Sequence, residues 1–280
     1  MARRSLLFTP GDRPEMLRKA PRSDADVLAF DLEDAVVPEA KADARAAVGE
    51  VLADPAFEPD AEVCVRVNPD GRDADEDLDV IADAGGVPDV VMLPKAERAD
   101  QVATLGRMLA EHDFPVRVLP LVETAAGVLH AEAIAAADPT VAIAFGAEDL
   151  AADVGASRTA EGTEVLHARE HVVLAAAAAD VEAIDTVFTD FGDEDGLREA
   201  TRFGIQLGYD GKMAIHPNQV DPINDAFTPD PADVDWAERV VAAREDAASG
   251  VFVVDDEMID APLIAQAERI LARADAAGLR

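Results

Sequence analysis

The sequence is short of cysteine, of lysine and of long apolar runs, and each shortage narrows what the protein can be. Cys64 is the single cysteine among 280 residues, so no internal disulfide can form. No run of 18 apolar residues exists, which excludes a transmembrane helix. The apolar stretch near the N-terminus ends at Pro10 and Gly11, too early for a signal peptide. We therefore expect a cytoplasmic protein that does not enter a membrane.

Basic residues are also scarce relative to acidic ones. The chain has 24 Lys and Arg against 58 Asp and Glu, a formal charge of −34 spread over the whole length. Such a surface excludes non-specific nucleic-acid binding and disfavours anionic membranes, because both need basic residues. It is typical of proteins that work in molar salt, where the Debye length is about 3 Å and carboxylate repulsion is screened. We therefore hypothesise a halophilic source.

Only four lysines remain in this acidic sequence, and they are Lys19, Lys41, Lys95 and Lys212. If surface lysine has been replaced almost everywhere, the four that are left are candidates for binding or chemistry. Chance retention is the alternative.

Short apolar runs alternate with Ala-rich amphipathic segments along the first 220 residues. Eight strands are predicted near 4–8, 27–33, 62–68, 88–94, 116–122, 140–145, 184–189 and 212–216. Helices are predicted between them at 13–20, 39–53, 73–84, 97–112, 125–137, 166–179 and 194–207. This alternation favours an α/β fold of the (β/α)₈ TIM-barrel type. An open doubly wound sheet is the alternative, but no GxGxxG motif follows the first strand.

The last 60 residues extend beyond the barrel pattern. Two further helices are predicted at 231–247 and 261–277, and Gly250 to Asp260 is interpreted as a linker that swings the last helix away. We therefore predict a barrel domain over residues 1–220 and a C-terminal helical extension over 221–280.

Polar residues interrupt the apolar runs at the carboxyl ends of the predicted strands, where barrel enzymes build their sites. These residues are Asp31, Glu33, Arg66, Asn68, Lys95, Glu123, Asp149, Asp190 and His216. Cys64 shares a strand face with Arg66 and is predicted to be a structural thiol inside the barrel.

Two carboxylates are the candidate metal ligands. Glu123 and Asp149 would leave room for water and a bidentate substrate, which is how Mg²⁺ is usually held, and no His or Cys cluster has zinc spacing. Alternatively, both are acids at helix starts. Arg66 could pair with Asp31 or Glu33, or it could stabilise an oxyanion. The motif Asp-Ala-Pro at Asp260 predicts a helix N-cap.

Eight segments, taken together and in order, resemble the citrate lyase β-subunit-like family, also called the HpcH/HpaI aldolase superfamily, which includes malyl-CoA and β-methylmalyl-CoA lyases. They are Ser-Leu-Leu-Phe-Thr-Pro-Gly-Asp-Arg-Pro (5–14), Asp-Leu-Glu-Asp-Ala-Val (31–36), Arg-Val-Asn (66–68), Leu-Pro-Lys-Ala-Glu (93–97), Val-Glu-Thr-Ala-Ala-Gly (122–127), Phe-Gly-Ala-Glu-Asp-Leu (145–150), Gly-Lys-Met-Ala-Ile-His-Pro (211–217) and Met-Ile-Asp-Ala-Pro (258–262).

The resemblance implies a (β/α)₈ barrel that forms a homotrimer or homohexamer and binds one Mg²⁺ or Mn²⁺. It implies that Glu123 and Asp149 hold the metal and that Arg66 contacts the thioester and its enolate. It also implies that Asp260 is an acid/base residue delivered into a neighbouring subunit's site, a role compatible with capping a helix.

Further residues fall on the family's binding positions. Phe8, Arg13 and Lys19 lie where related enzymes hold the coenzyme A nucleotide, and we expect Glu33, Gly146 and Ala147, with Arg66, to contact the substrate. The function expected is a lyase that cleaves malyl-CoA or β-methylmalyl-CoA to glyoxylate and acetyl-CoA or propionyl-CoA. The alternatives are a citrate lyase β subunit acting on a citryl thioester of an acyl carrier protein, a malyl-CoA thioesterase, and a catalytically inactive scaffold.

Overall fold

Eight parallel strands close into a barrel in this computed structural model, which describes residues 2–69, 72–246 and 250–280. Each strand pairs with the next in the chain, and β8 returns to β1. The strands are β1 (Ser5–Pro10), β2 (Val27–Asp31), β3 (Glu62–Arg66), β4 (Val90–Leu93), β5 (Val118–Val122), β6 (Ala142–Phe145), β7 (Glu182–Asp185) and β8 (Gly211–Ala214). The predicted (β/α)₈ barrel is confirmed.

Helices follow the strands along the chain. They are α1 (Pro14–Leu17), α2 (Lys41–Leu52), α3 (Arg72–Asp83), α4 (Ala99–Glu111), α5 (Ala125–Leu129), α6 (Ala131–Ala135), α7 (Ala147–Asp153), α8 (Leu166–Ala179), α9 (Glu194–Leu207), α10 (Val220–Phe227), α11 (Pro231–Asp246) and α12 (Ala261–Ala276). Across the described ranges, none of these helices combines the length and the apolar character that a membrane span requires.

Alternate residues of the strands fill the barrel interior, as the two-residue period of a strand requires. Ala29, Cys64, Met92 and Leu121 belong to one buried cluster inside the barrel. The prediction for Cys64 is confirmed: burial raises the pKa of its thiol, which keeps it protonated and unreactive. The inward-facing residues two positions further along these strands therefore lie at the carboxyl-terminal rim of the barrel.

Two helical predictions need correction. The helix predicted over 125–137 is divided into α5 and α6 at His130, whose Nδ1 lies 2.9 Å from the carbonyl oxygen of Glu97. Helix α7 was not predicted, because seven residues are too few to establish a helical period. The predicted helix 231–247 corresponds to α11, and its last residue lies outside the described ranges.

The described chain divides into two compact units, Arg3–Ile223 and Asn224–Arg280, and the second also includes Ala2. In the second unit, α11 and α12 pack together around a core that includes Val240, Ile264 and Leu271. The interpretation of 250–260 as a linker is wrong: it forms an antiparallel hairpin of β9 (Phe252–Val254) and β10 (Glu257–Ile259). Val254 and Ile259 belong to the same core, so the hairpin packs against α11 and α12. The functional division between the units stays a prediction.

Candidate active site

Arg66 lies at the end of β3, one inward position above Cys64. Its Nε and Nη2 donate to the two carboxylate oxygens of Asp31 at 2.7 and 2.6 Å, and its Nη1 lies 3.2 Å from Glu33 Oε2. The ring of Phe8 lies over the guanidinium, 4.7 Å from Cζ to the ring centroid. Arg66 thus pairs with both Asp31 and Glu33, the two partners that the sequence suggested for it. Each terminal nitrogen carries a second hydrogen that can serve a ligand.

The charge of Arg66 is secured although the side chain is buried. Burial alone would lower the pKa of Arg66, but hydrogen bonds and charge from Asp31, together with the charges of Glu33 and Glu123, outweigh it and raise the pKa. The guanidinium therefore stays positive across the whole working pH range. A buried, permanently charged donor is suited to stabilising negative charge that develops in a reaction.

Glu33 is held at the rim by two cations and by the turn that carries it. Its Oε2 faces Arg66, and its Oε1 accepts a hydrogen bond from Lys95 Nζ. Asp31 fixes the turn, since its carboxylate accepts from the backbone N–H groups of Glu33 at 2.8 Å and Ala35 at 3.0 Å. Burial raises the pKa of Glu33, while Arg66 and Lys95 act in the opposite direction.

Glu123 follows β5 and is clamped by backbone on two sides. It is 1% exposed, and its Oε1 accepts from Lys95 N at 2.9 Å. On the other side lies Gly146, where a Cβ would come within 2.6 Å of Glu123 Cβ and 2.7 Å of Oε2. Burial, reinforced by the charge of Asp149, raises the pKa of Glu123 to about 8. A larger residue than glycine at position 146 would displace the carboxylate.

Asp149 lies in the first turn of α7, whose N-cap residue is Gly146. The start of α7 is fixed by a hydrogen bond from Ala147 N to Thr186 Oγ1 at 3.1 Å, which joins the ends of β6 and β7. The helix-start interpretation of Asp149 is therefore confirmed. It does not compete with metal binding, because the side chain still lies near enough to Glu123 for its charge to act there.

Glu123 and Asp149 fit a hard divalent cation. The burial of Glu123 and the charge of Asp149 both disfavour an ionised Glu123, and either a proton or a cation relieves this. Within the described ranges, no group of three or more His, Cys, Asp or Glu side chains is arranged to hold a metal. An ion at this pair would therefore take its other ligands from water and substrate, as Mg²⁺ usually does.

A second polar network supports the loop after β2. Lys41 Nζ donates to the carbonyl oxygens of Leu32 and Glu33 at 2.5 and 2.6 Å. It also donates to Asn68 Oδ1 at 2.7 Å, and the Nδ2 of Asn68 donates to Asp77, which is fully buried. Lys41 therefore positions the loop that carries Glu33. The buried Asp77 could not be recognised from the sequence, because α3 contains many other acidic residues.

The three residues predicted to bind the coenzyme A nucleotide differ in their surroundings. Phe8 lies in the site, as described above. The Arg13 side chain is 65% exposed, 3.4 Å from Asp12, and the Lys19 side chain is 61% exposed, 3.7 Å from Glu15. Both cations are available to a ligand from solvent, but their role stays a prediction.

Lys212 departs from the expectation that the retained lysines act in the site. It is 1% exposed, and its Nζ donates to Asp185 Oδ2 at 3.0 Å and to the Thr186 carbonyl at 2.7 Å. Arg169 makes two hydrogen bonds to the same Asp185 carboxylate, at 2.8 and 2.6 Å. Lys212 therefore belongs to a buried ion cluster that links β7, β8 and α8.

Asp260 belongs to the second compact unit, where it is the N-cap of α12. Its carboxylate accepts a hydrogen bond from Leu263 N at 3.4 Å. The predicted cap is confirmed, and the acid/base role stays a prediction.

Comparison with known proteins agrees with this architecture. Residues 4–217 match the family described as HpcH/HpaI aldolase/citrate lyase. The mitochondrial citramalyl-CoA lyase of Mus musculus is 35% identical, with 96% of this chain and 85% of the relative covered. The citrate lyase subunit beta of Leuconostoc mesenteroides is 37% identical, with 98% and 94% covered.

A solved structure is similar over almost its whole length. It is the CitE protein of Mycobacterium tuberculosis in complex with magnesium, acetoacetate and coenzyme A, with a TM-score of 0.82, 39% identity and 98% of each chain covered. The chain therefore belongs to the HpcH/HpaI aldolase/citrate lyase family, and it is a lyase.

Proposed function

We propose that the protein is a divalent-cation-dependent lyase that reversibly cleaves malyl-CoA or β-methylmalyl-CoA to glyoxylate and acetyl-CoA or propionyl-CoA. The observation that carries the proposal is that the buried Arg66 and Glu123, together with Asp149, lie at or just beyond the carboxyl ends of β3, β5 and β6, which share one rim of the barrel. The CitE structure, which contains magnesium and coenzyme A, supports the same ligands here.

The oxoacid half of the substrate would bind at the cation site. Glu123 and Asp149 would hold Mg²⁺ or Mn²⁺. When bound, this ion supplies a Lewis acid that polarises the carbonyl of the oxoacid fragment.

Arg66 serves the other half, the thioester. As the C2–C3 bond breaks, the hydroxyl on C2 passes its proton to solvent water, and C2 becomes the aldehyde carbon of glyoxylate. The bonding electrons pass to the thioester, which leaves as an enolate. The buried guanidinium offsets this negative charge in a place of low dielectric, which contributes several kcal/mol to lowering the barrier.

Asp260 completes the reaction in this proposal. It gives a proton to the enolate carbon during cleavage and removes a proton there during condensation. We propose that it comes from a neighbouring copy in a homotrimer or homohexamer. Coexpression of Arg66→Ala and Asp260→Asn chains tests this arrangement, since mixed oligomers regain activity if the two residues serve one site from different copies. Failure of purified mixed oligomers to regain activity excludes the shared site.

A condensation assay tests the proposal. The protein is incubated in concentrated KCl with Mg²⁺, glyoxylate and either acetyl-CoA or propionyl-CoA, and products are identified by mass spectrometry. Formation of malyl-CoA or β-methylmalyl-CoA without a carrier protein is the expected result. Arg66→Ala and Glu123→Ala should each lower the rate about 100-fold or more, whereas Arg107→Met, at an exposed arginine of α4, serves as the matched control.

Other outcomes select other functions. Strict dependence on an acyl carrier protein indicates a citrate lyase β subunit. Release of free CoA from malyl-CoA without glyoxylate indicates a thioesterase. Condensation of pyruvate in preference to glyoxylate indicates a citramalyl-CoA lyase, as in the Mus musculus relative.

A further inference from the structure

Lys95 occupies an unusual position between the two halves of the candidate site. Its backbone has φ of +49°, a left-handed conformation that non-glycine residues rarely adopt. This conformation directs the backbone N–H to Glu123 at 2.9 Å while the side chain reaches Glu33. Strained backbone of this kind is found where a site needs the geometry it produces.

Arg66, Lys95 and the buried carboxylates of Asp31 and Glu33 form a cluster in which the charges balance, and Asp34 lies at its edge, 55% exposed and screened by solvent. Arg66 faces two carboxylates, with hydrogen bonds of 2.7 and 2.6 Å to Asp31 and a distance of 3.2 Å to Glu33. Lys95 Nζ binds the other oxygen of Glu33 and lies 3.8 Å from Asp34 Oδ2. Asp31 and Glu33 are 1% and 4% exposed, so solvent screens these charges poorly. Without the ammonium group, Arg66 alone would balance two buried carboxylates, and the cluster would carry one excess negative charge.

We infer that Lys95 is a positioning residue that neutralises Glu33, and thereby leaves the charge of Arg66 available to the enolate that forms during cleavage. This inference rests on the proposed function. Lys95 does not touch the reacting atoms in this scheme. It acts through Glu33 on Arg66, so its loss should lower kcat more than it raises KM, because the enolate charge exists only in the transition state.

Charge restoration distinguishes this role from simple structural support. Lys95→Met keeps the length of the stem and the backbone N–H to Glu123, but it leaves the cluster with one excess negative charge. The double variant Lys95→Met/Glu33→Gln removes that excess and returns the cluster to neutrality. Lys95→Arg keeps the positive charge and serves as the conservative variant, and Arg107→Met is the control for the loss of an exposed cation.

The experiment measures kcat and KM for condensation of glyoxylate with propionyl-CoA, after thermal unfolding has shown each variant to be folded at the assay temperature. We expect Lys95→Met to lower kcat about 30-fold with KM changed less than about threefold. We expect the double variant to recover at least about a fifth of the kcat of Glu33→Gln alone. Binding of propionyl-CoA without added metal, measured by calorimetry, should be equal in wild type and Lys95→Met.

Each contrary result has a distinct meaning. A folded Lys95→Met enzyme with near-normal kcat overturns the inference, as does a double variant no faster than Lys95→Met. An effect confined to KM or to the binding of propionyl-CoA shows that Lys95 binds substrate, and overturns it too. If the wild-type protein does not condense glyoxylate with a CoA thioester at all, the proposed function fails, and the inference fails with it.

Discussion

At the scale of single residues, the candidate site depends on a few buried charges whose partners are fixed by backbone. Glu123 is the clearest case, because Lys95 N–H and the Cα of Gly146 hold it on two sides. Burial is the main cause of the pKa of about 8; the hydrogen bond from Lys95 N lowers this pKa, and the charge of Asp149 raises it. A carboxyl group with this pKa is mostly protonated at pH 7 until a cation binds beside it.

The raised pKa of Glu123 predicts a pH-dependent affinity for Mg²⁺. Protons and the cation compete for the same carboxylate, and below about pH 8 the proton is favoured. The affinity should therefore rise about tenfold from pH 6 to pH 7 and level off above pH 8. Calorimetric titration of Mg²⁺ at each pH measures this directly. An affinity that stays constant from pH 6 to pH 8 would show that no carboxylate with a raised pKa binds the cation, and Glu123→Gln should abolish the dependence.

Single residues also show how far sequence alone can lead. The positions of Arg66, Glu123 and Lys95 at strand ends follow from apolar runs that polar residues interrupt, and the order of those runs predicts a common rim. The left-handed backbone of Lys95 and its double contact with Glu123 and Glu33 could not be predicted. They arise from tertiary packing that overrides the local preference of a lysine for negative φ.

At the scale of elements, the approach of β6 to β5 decides where Glu123 lies. Gly146 is required there, since a Cβ would stand 2.6 Å from Glu123 Cβ. Gly146→Ala should therefore displace the carboxylate and weaken Mg²⁺ binding about tenfold or more while the barrel stays folded. Calorimetry and thermal unfolding measure the two effects. Gly250→Ala is the matched control, because its Cβ would meet nothing within 4 Å. Equal Mg²⁺ affinity in both variants would contradict this account.

Substitutions of Asp260, the N-cap of α12, distinguish helix capping from proton transfer. Asn caps a helix about as well as Asp, whereas Ala lacks the side-chain acceptor and costs about 1 kcal/mol. Asp260→Asn should therefore keep the unfolding midpoint of the wild type but lower kcat about 100-fold, because an amide cannot exchange the proton. Asp260→Ala should lose both stability and activity. An Asp260→Asn protein with normal turnover would leave the residue as a helix cap alone.

The hairpin of β9 and β10 shows why one element escaped prediction. Its two turn residues, Asp255 and Asp256, have φ of +51° and +66°. Turns with two positive φ values usually contain glycine, as in Asn-Gly or Asp-Gly. Here no glycine marks the turn, and each strand has only three residues, so the alternation of apolar and polar side chains is too short to recognise.

At the scale of the whole molecule, the barrel could be predicted because its signal repeats. Eight apolar runs separated by helical segments indicate the fold even where single boundaries are displaced by several residues, as at β7, which begins at Glu182. The boundary predicted between residues 220 and 221 rests on a single signal, the end of this alternation, and the two compact units divide between Ile223 and Asn224.

The net charge of −34 predicts that stability depends on salt. Repulsion among the carboxylates destabilises the folded state at low ionic strength, and KCl screens it. The unfolding midpoint should therefore rise by about 10 °C or more between 0.1 and 2 M KCl. Sucrose, which stabilises by exclusion without screening charge, is the control and should produce a smaller rise. A midpoint indifferent to KCl would remove the argument for a halophilic source.

The central claim is that Glu123 and Asp149 share one divalent cation beside Arg66, and a crystal structure of the protein grown with Mn²⁺ and a CoA thioester tests it most directly. We predict one strong anomalous peak within about 2.0–2.6 Å of an oxygen of each carboxylate, with the thioester oxygen next to the Arg66 guanidinium. The peak should be absent in Glu123→Ala. A peak elsewhere in the protein, or a thioester turned away from Arg66, would contradict the account.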